Sequence, residues 1–458
     1  MAGIVAVSDA RSKRTRTVAY VLAHCMRMLQ HRGKAYWRIM VGDSIAEGDG
    51  PLPYDERIIR IVKEHELSGS NGIGLLSKKR LKSTLLRDCQ IALDGFIVDT
   101  EKLYMHPMIG AARDLDPLYQ IYYIFKTLLV RNLDPQKATD FLDRHLRGNV
   151  LARINSSTYA YRNSTGFKPL VLGRNKNDTL HVVASENSLR TSLIDLTFRD
   201  VAPGELLRMD KGYGLDTIAT EPSPNLVADP FEFIRESNVA SIVNGKSIYE
   251  IRKNIGREQS RFLSGKFHID SAFAEPDYTR PMALGFSLEY QKHEKKFEIA
   301  EAIIKDRYDD SDHMIDFSEE VSKYKLLTTS KSLKFIVDNL VNKRRIGAIQ
   351  GTIQTGSTVK ETIHYLRRAG AKEIVVVVSY PPTIDGRQVG LYTQNRDLVA
   401  NKHVGRVSSI DEINMLVSKE IGADKVYYNS PKVLARGVGL PEGNLWFPEW
   451  IRFLEYEG

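Results

Sequence analysis

Cysteine is nearly absent: Cys25 and Cys89 are the two in 458 residues, and neither falls in a metal-ligand spacing. A disulfide framework, a zinc site and an iron–sulfur cluster are therefore not what organises this chain. Long apolar runs are missing as well. None approaches the roughly 20 residues that span a bilayer, and the residues after Met1 lack the apolar segment of a secretory signal, so a cytoplasmic protein with no membrane partner is expected. Internal repeats and low-complexity tracts are also lacking. Present instead is a 42% hydrophobic content, ample for the cores of two or three domains. The formal charge of +8 leaves room for an acidic partner, although solvated lysine and arginine give the same balance.

The pattern along the chain changes near residue 230. Before it, short apolar runs such as Ile4-Val5-Ala6-Val7, Leu170-Val171-Leu172 and residues 180–184 are separated by Gly, Asn and Asp turns. They read as strands in sheets, with helices over residues 17–29 and 116–129. After it, helix-periodic stretches alternate with apolar ones: 334–342 reads as helix, 346–349 as strand, 358–369 as helix closed by Gly370, and the valine-rich 374–379 as a buried strand. Such alternation argues a parallel α/β sheet. Pro222, Pro224 and Pro230 mark the crossing, which sets the expected domains at 1–229 and 230–458.

Specific blocks add to this reading. MAGIVAV at residues 1–7, LQHRG at 29–33, NGIG at 71–74, KPLVLGR at 168–174, VASENS at 183–188 and RDVAPGEL at 199–206 are followed by FEFIRES at 231–237, SIYEIRKNIG at 247–256, EPDYTRPMALGF at 275–286, IGAIQGTIQTGST at 346–358, RRAGAKEIVVVVSYPP at 367–382 and IGADKVYYNSPKVLARGVGLP at 421–441. In order and content they resemble the amidophosphoribosyltransferases, glutamine-dependent enzymes that convert phosphoribosyl pyrophosphate to phosphoribosylamine at the start of purine synthesis. The resemblance implies an amino-terminal-nucleophile glutaminase-like four-layer αββα sandwich followed by a phosphoribosyltransferase-like α/β domain with a parallel sheet. Fold alone does not carry chemistry across.

The residues that would carry that chemistry are replaced. In the family a cysteine exposed by removal of the initiator Met attacks the glutamine amide, with its own α-amino group as base; here Ala2 offers a methyl group. The oxyanion-hole segment aligns with Leu93-Asp94-Gly95-Phe96, where Asp94 puts a negative charge in place of an amide donor whose loss typically costs about 10²–10³ in rate. The arginine that holds the glutamine carboxylate falls near Ser77, which is no cation. Asp116 is a candidate match to the acid that holds the substrate amine. In the second half, the two aspartates that hold the ribose hydroxyls and metal correspond to Gln350 and Gly351, a poor set for Mg²⁺, which requires hard and preferably anionic oxygens. The pyrophosphate loop becomes Pro276-Asp277-Tyr278-Thr279, in which a glycine's close approach to phosphate is lost. The family's flexible catalytic segment is replaced by an acidic stretch over residues 306–323. No metal ligand set and no cofactor is expected, and His293, His313 and His364 read as ordinary histidines.

Two features remain open. Thr352, Gly356, Ser357 and Thr358 precede a helix, so backbone N–H groups there are candidates for a nucleotide phosphate, or the segment simply turns and caps the helix. Arg11, Lys13, Arg14 and Arg16, with Lys78, Lys79, Arg80 and Lys82, form two basic clusters that the resemblance places on loops flanking the former glutamine entrance. They either bind RNA or a ribonucleoprotein through phosphates or belong to a solvated, ion-paired surface. The function expected is that of a catalytically silent relative, a regulatory or scaffolding subunit in a homo- or hetero-oligomer, with an active amidophosphoribosyltransferase as a candidate partner. RNA binding is the alternative, and residual phosphoribosyl transfer in purine synthesis a weaker one.

Overall fold

The computed structural model describes residues 2–11, 16–80, 89–109, 116–131, 133–210, 214–305, 334–390 and 393–456. Lys13, Arg14, Lys82, His313 and the acidic stretch 306–323 lie outside them. The chain divides into two compact units, the first built mainly from residues 1–232 and 236–248, the second mainly from 249–389 and 393–458.

In the first unit, seven of the described strands form an antiparallel sheet. They are β1 (Ala2–Asp9), β2 (Tyr36–Val41), β3 (Ser44–Asp49), β4 (Asn71–Ser77), β8 (Val171–Asn175), β9 (Leu180–Ala184) and β10 (Leu196–Asp200), in the order β10-β8-β9-β1-β4-β2-β3. A second sheet has the order β12-β11-β7-β6-β5, from β5 (Ile91–Ile97), β6 (Leu146–Ile154), β7 (Ser157–Arg162), β11 (Glu205–Asp210) and β12 (Gly214–Thr220). The alternation of strand side chains decides the layering. Ile4 and Ala6 of β1 join a core shared with Ala92, Leu151, Ala160 and Leu207 of the other sheet. Val5 and Val7 point the other way, to Val18, Leu22 and Met26 of the helix Thr17–Met28. Both faces of β1 are thus buried, which is why Ile4-Val5-Ala6-Val7 reads as one apolar run and not an alternating one. On the far side of the second sheet, Ile121, Phe125 and Leu128 of Pro117–Val130 and Leu142 of Pro135–His145 complete an αββα sandwich.

The second unit holds a parallel sheet in the order β16-β15-β19-β20-β21, from β15 (Ser271–Ala274), β16 (Glu298–Ile299), β19 (Arg345–Gln350), β20 (Glu373–Val378) and β21 (Lys425–Tyr428). Ile374 and the four valines after it have no exposed surface, as befits a central strand. The helix expected over 358–369 runs Ser357–Arg368. The helix expected over 334–342 does not form. Lys334–Ile336 is a strand, β18, paired antiparallel with β17 (Ile303–Lys305), and a 3₁₀ turn, Asp338–Leu340, follows. Cross-strand hydrogen bonding, invisible in the local apolar spacing, overrides the helical period there.

The helices Ile248–Phe262 and Arg280–Tyr290 cross with their backbones almost touching. A Cβ added to Gly256 would lie 1.9 Å from the Met282 carbonyl oxygen, and one added to Gly285 1.8 Å from that of Lys253. An alanine in a helix interior ordinarily gains about 0.5–1 kcal/mol over glycine, but overpacking against rigid main chain costs more. Gly256→Ala is expected to lower stability by at least about 2 kcal/mol in urea denaturation followed by circular dichroism, whereas Gly443→Ala, with nothing within 4 Å of its added methyl, should be close to neutral.

Candidate functional site

At the start of β1, Ala2 pairs with Ser77 of β4, and its N–H donates to Asp94 Oδ1 at 3.1 Å. Asp94 lies on β5 with no exposed surface. Its other oxygen accepts from Arg32 Nη2 at 3.2 Å, so the carboxylate that the sequence sets in the oxyanion position is consumed by main chain and guanidinium. Arg32, also buried, donates to Glu232 twice, at 2.8 and 3.1 Å, and to the Ala2 carbonyl at 3.3 Å, and stands 3.6 Å from Glu186.

The network extends further. Lys168 Nζ donates to Asp229 at 2.5 Å and to Glu232 at 2.9 Å. Glu186 accepts from Ser241 Oγ at 2.5 Å and from the Asn238 N–H at 2.6 Å, with His31 Nε2 2.6 Å away. Lys78 donates to the buried Glu236. The Ser77 Oγ accepts from the Lys79 N–H at 3.1 Å. Asp116 is a helix cap, accepting from the Leu118 N–H at 2.9 Å.

Burying so many charges is costly unless each is neutralised. Desolvation opposes the charge on Arg32, but Glu232, Asp94 and Glu186 outweigh it and hold the guanidinium well above its ordinary value. Lys168 behaves alike, with Asp229 and Glu232 overcoming burial. Burial pushes the Glu186 carboxyl up, and His31 and Arg32 more than reverse this, bringing it down to about 2. Glu236 also falls to about 2, because Lys78, Arg32 and Lys168 outweigh its desolvation. Asp229 is raised, chiefly by burial. The main chain of Ala2 is thus tied into a buried ionic lattice, in which Lys168 stays protonated and is no base. The two cysteines do not substitute for the missing thiol, since both are buried and unpaired and burial pushes Cys25 up to about 12.

In the second unit, Gln350 closes β19 with 2% exposure and its amide donates to Glu275 at 3.2 Å. Glu275 also accepts from Thr362 Oγ1 at 3.1 Å. Beside it, Gly351 is covered by Tyr278: a Cβ there would lie 2.3 Å from Tyr278 Cε2. The Arg235 guanidinium stands over the same ring, 5.2 Å from its centroid. Thr352 Oγ1 bonds Thr383 at 2.9 Å and is buried. Gly356 takes a left-handed φ of 80° and opens the helix Ser357–Arg368 without a side-chain cap; Ser357 and Thr358 are exposed. Of the four candidate phosphate residues, Gly356, Ser357 and Thr358 thus stand together at the helix start, while the Thr352 hydroxyl turns inward. Among the described residues no three His, Cys, Asp or Glu side chains gather as a metal site, and no described helix is long and apolar enough to cross a membrane.

Of the two basic clusters, Arg11, Arg16, Lys78, Lys79 and Arg80 are among the described residues. β1 and β4 are antiparallel, with Ala2 opposite Ser77 and Ser8 opposite Asn71. Arg11 and Arg16 therefore follow one end of the pair and Lys78, Lys79 and Arg80 the other, about 20 Å apart at the ordinary strand rise. Lys78 is withdrawn into its pair with Glu236, only 19% exposed, and Arg80 lies 3.2 Å from Asp49.

An αββα sandwich joined to a parallel α/β sheet, with these blocks at the ends of its strands, defines a glutaminase-like unit carried beside a phosphoribosyltransferase-like one. No protein-family model matches the chain. The amidophosphoribosyltransferase of Methanocaldococcus jannaschii is 25% identical over 469 residues, spanning 92% of each chain. That of Synechococcus elongatus is 26% identical over 426 residues, spanning 87% of this chain and 81% of its own. Among solved structures, a glutamine phosphoribosylpyrophosphate amidotransferase from B. subtilis, complexed with ADP and GMP, superposes with a TM-score of 0.72 at 20% identity over 95% of this chain and 92% of its own. An allosteric regulatory enzyme of purine biosynthesis gives 0.74 at 20% identity, over 95% and 91%. The chain is a homologue of the amidophosphoribosyltransferases and has their fold.

The sequence reading missed Arg32, Lys168, Glu186, Asp229, Glu232 and Glu236 as a connected set. The available signal was charge embedded in apolar blocks, as in LQHRG, KPLVLGR, VASENS and FEFIRES.

Because Glu186 and Glu236 sit below the 4.5 of a free glutamate, the stability they contribute is complete above about pH 4.5 and is lost as pH falls towards 2, on the order of 3 kcal/mol each. Asp229, raised, subtracts from this. Glu186→Gln is expected to lower the unfolding temperature strongly at pH 7, with the gap to wild type closing steadily below pH 4.5 in a calorimetric pH series.

Proposed function

We propose that this protein is a catalytically silent amidophosphoribosyltransferase homologue that acts as a regulatory or scaffolding subunit, in an oligomer with itself or with an active enzyme of the same family. The observation that carries the silence is the Ala2–Asp94–Arg32–Glu232 lattice. A methyl group stands where the nucleophile belongs, and the group in the oxyanion position is an anion already bound to Arg32, so it cannot donate to a developing negative charge. The second pocket supports the same reading. Gln350 is turned into a hydrogen bond with Glu275, and the Tyr278 ring occupies the space over Gly351, so the two positions that the resemblance assigns to the ribose- and metal-holding aspartates present no carboxylate of their own to Mg²⁺. The subunit role rests on the family likeness in both units, and it is favoured over nucleic-acid binding because the described basic residues Arg11 and Arg16 follow one end of the β1–β4 pair and Lys78, Lys79 and Arg80 the other.

Two measurements test this. Pure protein should release no glutamate from glutamine above background, and Ala2→Cys alone should not restore release, because Asp94 and Ser77 are unchanged; sustained turnover by either protein would refute silence. Mixed with the active homologue from the same cell, the protein should appear in a common assembly by light scattering. If both remain separate at micromolar concentration, and this chain alone is monomeric, the subunit role falls.

A further inference from the structure

The second unit has a cavity of about 280 Å³ between the start of the helix Pro431–Val438 and the short helix Glu449–Phe453. It belongs to neither degenerate pocket. The first of these helices begins just beyond the carboxyl end of β21, and carboxyl ends of parallel strands are where open α/β sheets hold ligands. Three cations line the cavity: Lys432, Arg436 and Arg452. Glu442 is the single acid among the described residues of the lining.

The availability of these groups differs. Lys432 has no ion pair and no hydrogen bond to its side chain among the described residues and is exposed. Arg436 makes a long contact, 3.6 Å, with Glu258. Arg452 spends one Nη2 hydrogen bond, 3.0 Å, on the Leu445 carbonyl, leaving other donors of its five. The hydroxyl of Tyr456, also in the lining, is buried without a hydrogen-bond partner among the described residues. A buried hydroxyl left unmade costs on the order of 1–3 kcal/mol, and a ligand acceptor would satisfy it. Burial, with Glu442 adding to it, raises the Tyr456 pKa and keeps the group a donor. Phe262 and Leu454 supply apolar wall, so the cavity joins an anion-binding rim to a surface suited to a ring or short chain. The volume lies just under the range of drug-sized pockets, roughly 300–1,000 Å³, and limits the occupant to something small.

We infer that this cavity is a binding site for a small organic anion, a phosphate or carboxylate head on a compact apolar body, with Lys432 and Arg452 on the head, Tyr456 donating to it, and Phe262 against the body. The site stands independently of whether the chain is catalytically silent.

Isothermal titration of the full chain with phenyl phosphate and, in parallel, benzoate tests it; inorganic phosphate and phenol serve as the head and the body alone. At least one of the two aryl anions is expected to bind saturably and more tightly than either fragment. Lys432→Ala, at an exposed position where folding is not at stake, should weaken that binding about tenfold. Tyr456→Phe should weaken it several-fold while leaving the thermal transition in place. No saturable heat from either aryl anion up to about 10 mM overturns the proposal. So does affinity for inorganic phosphate equal to that for phenyl phosphate, or binding unchanged in both Lys432→Ala and Tyr456→Phe, which would put the anion elsewhere, as at Gly356–Ser357–Thr358.

Discussion

Arg32 is the charge on which the first unit depends. Taken out of water completely, a guanidinium is tolerable only if its donors and its charge are both met, and here Glu232, Asp94, Glu186 and the Ala2 carbonyl meet them. These partners come from positions up to 200 residues away in sequence. Removing any one leaves the others overcharged in a place water does not reach. A buried lattice of this kind adds little net stability over an apolar filling of the same shape. Its cost when broken is what makes it restrictive, because Ala2, β5 and residues 229–237 must arrive together for the unit to close.

That lattice also changes what the substitutions mean. A missing nucleophile by itself would leave a pocket open to repair by a single replacement. Asp94 does more than omit a donor: it recruits Arg32 and the β1 main chain into a structural bond. Gln350 likewise points inward to Glu275, a member of a buried trio with Thr362. In both places the residue that differs from the family pattern has been absorbed into packing.

Much of the fold was legible in the chain. Ile4-Val5-Ala6-Val7 announced a strand buried on both sides, the valines after Glu373 a central parallel strand, and Gly370 the end of a helix, because each depends on near neighbours in sequence. The stretch 334–342 misled because its partner, β17, lies across a long separation and its pairing leaves no periodic trace. The same physics hid the site. Lys168 and Glu232 were visible as parts of characteristic blocks, but nothing local says that they touch. The antiparallel register of β1 on β4, a non-local fact, sends Arg11 and Arg16 to one end of the pair and Lys78, Lys79 and Arg80 to the other. Lys78 looked like surface charge until Glu236 was found beneath it.

The crossing at Gly256 and Gly285 has a bearing on Tyr278. The helix that carries Gly285 begins at Arg280, two residues after the tyrosine, so main-chain contact with Ile248–Phe262 anchors the stem of the loop that lays the ring on Gly351. A residue larger than glycine at 351 would meet that ring first, with a Cβ 2.3 Å from Tyr278 Cε2, so it could enter only by lifting a cover whose stem is held by two helix backbones.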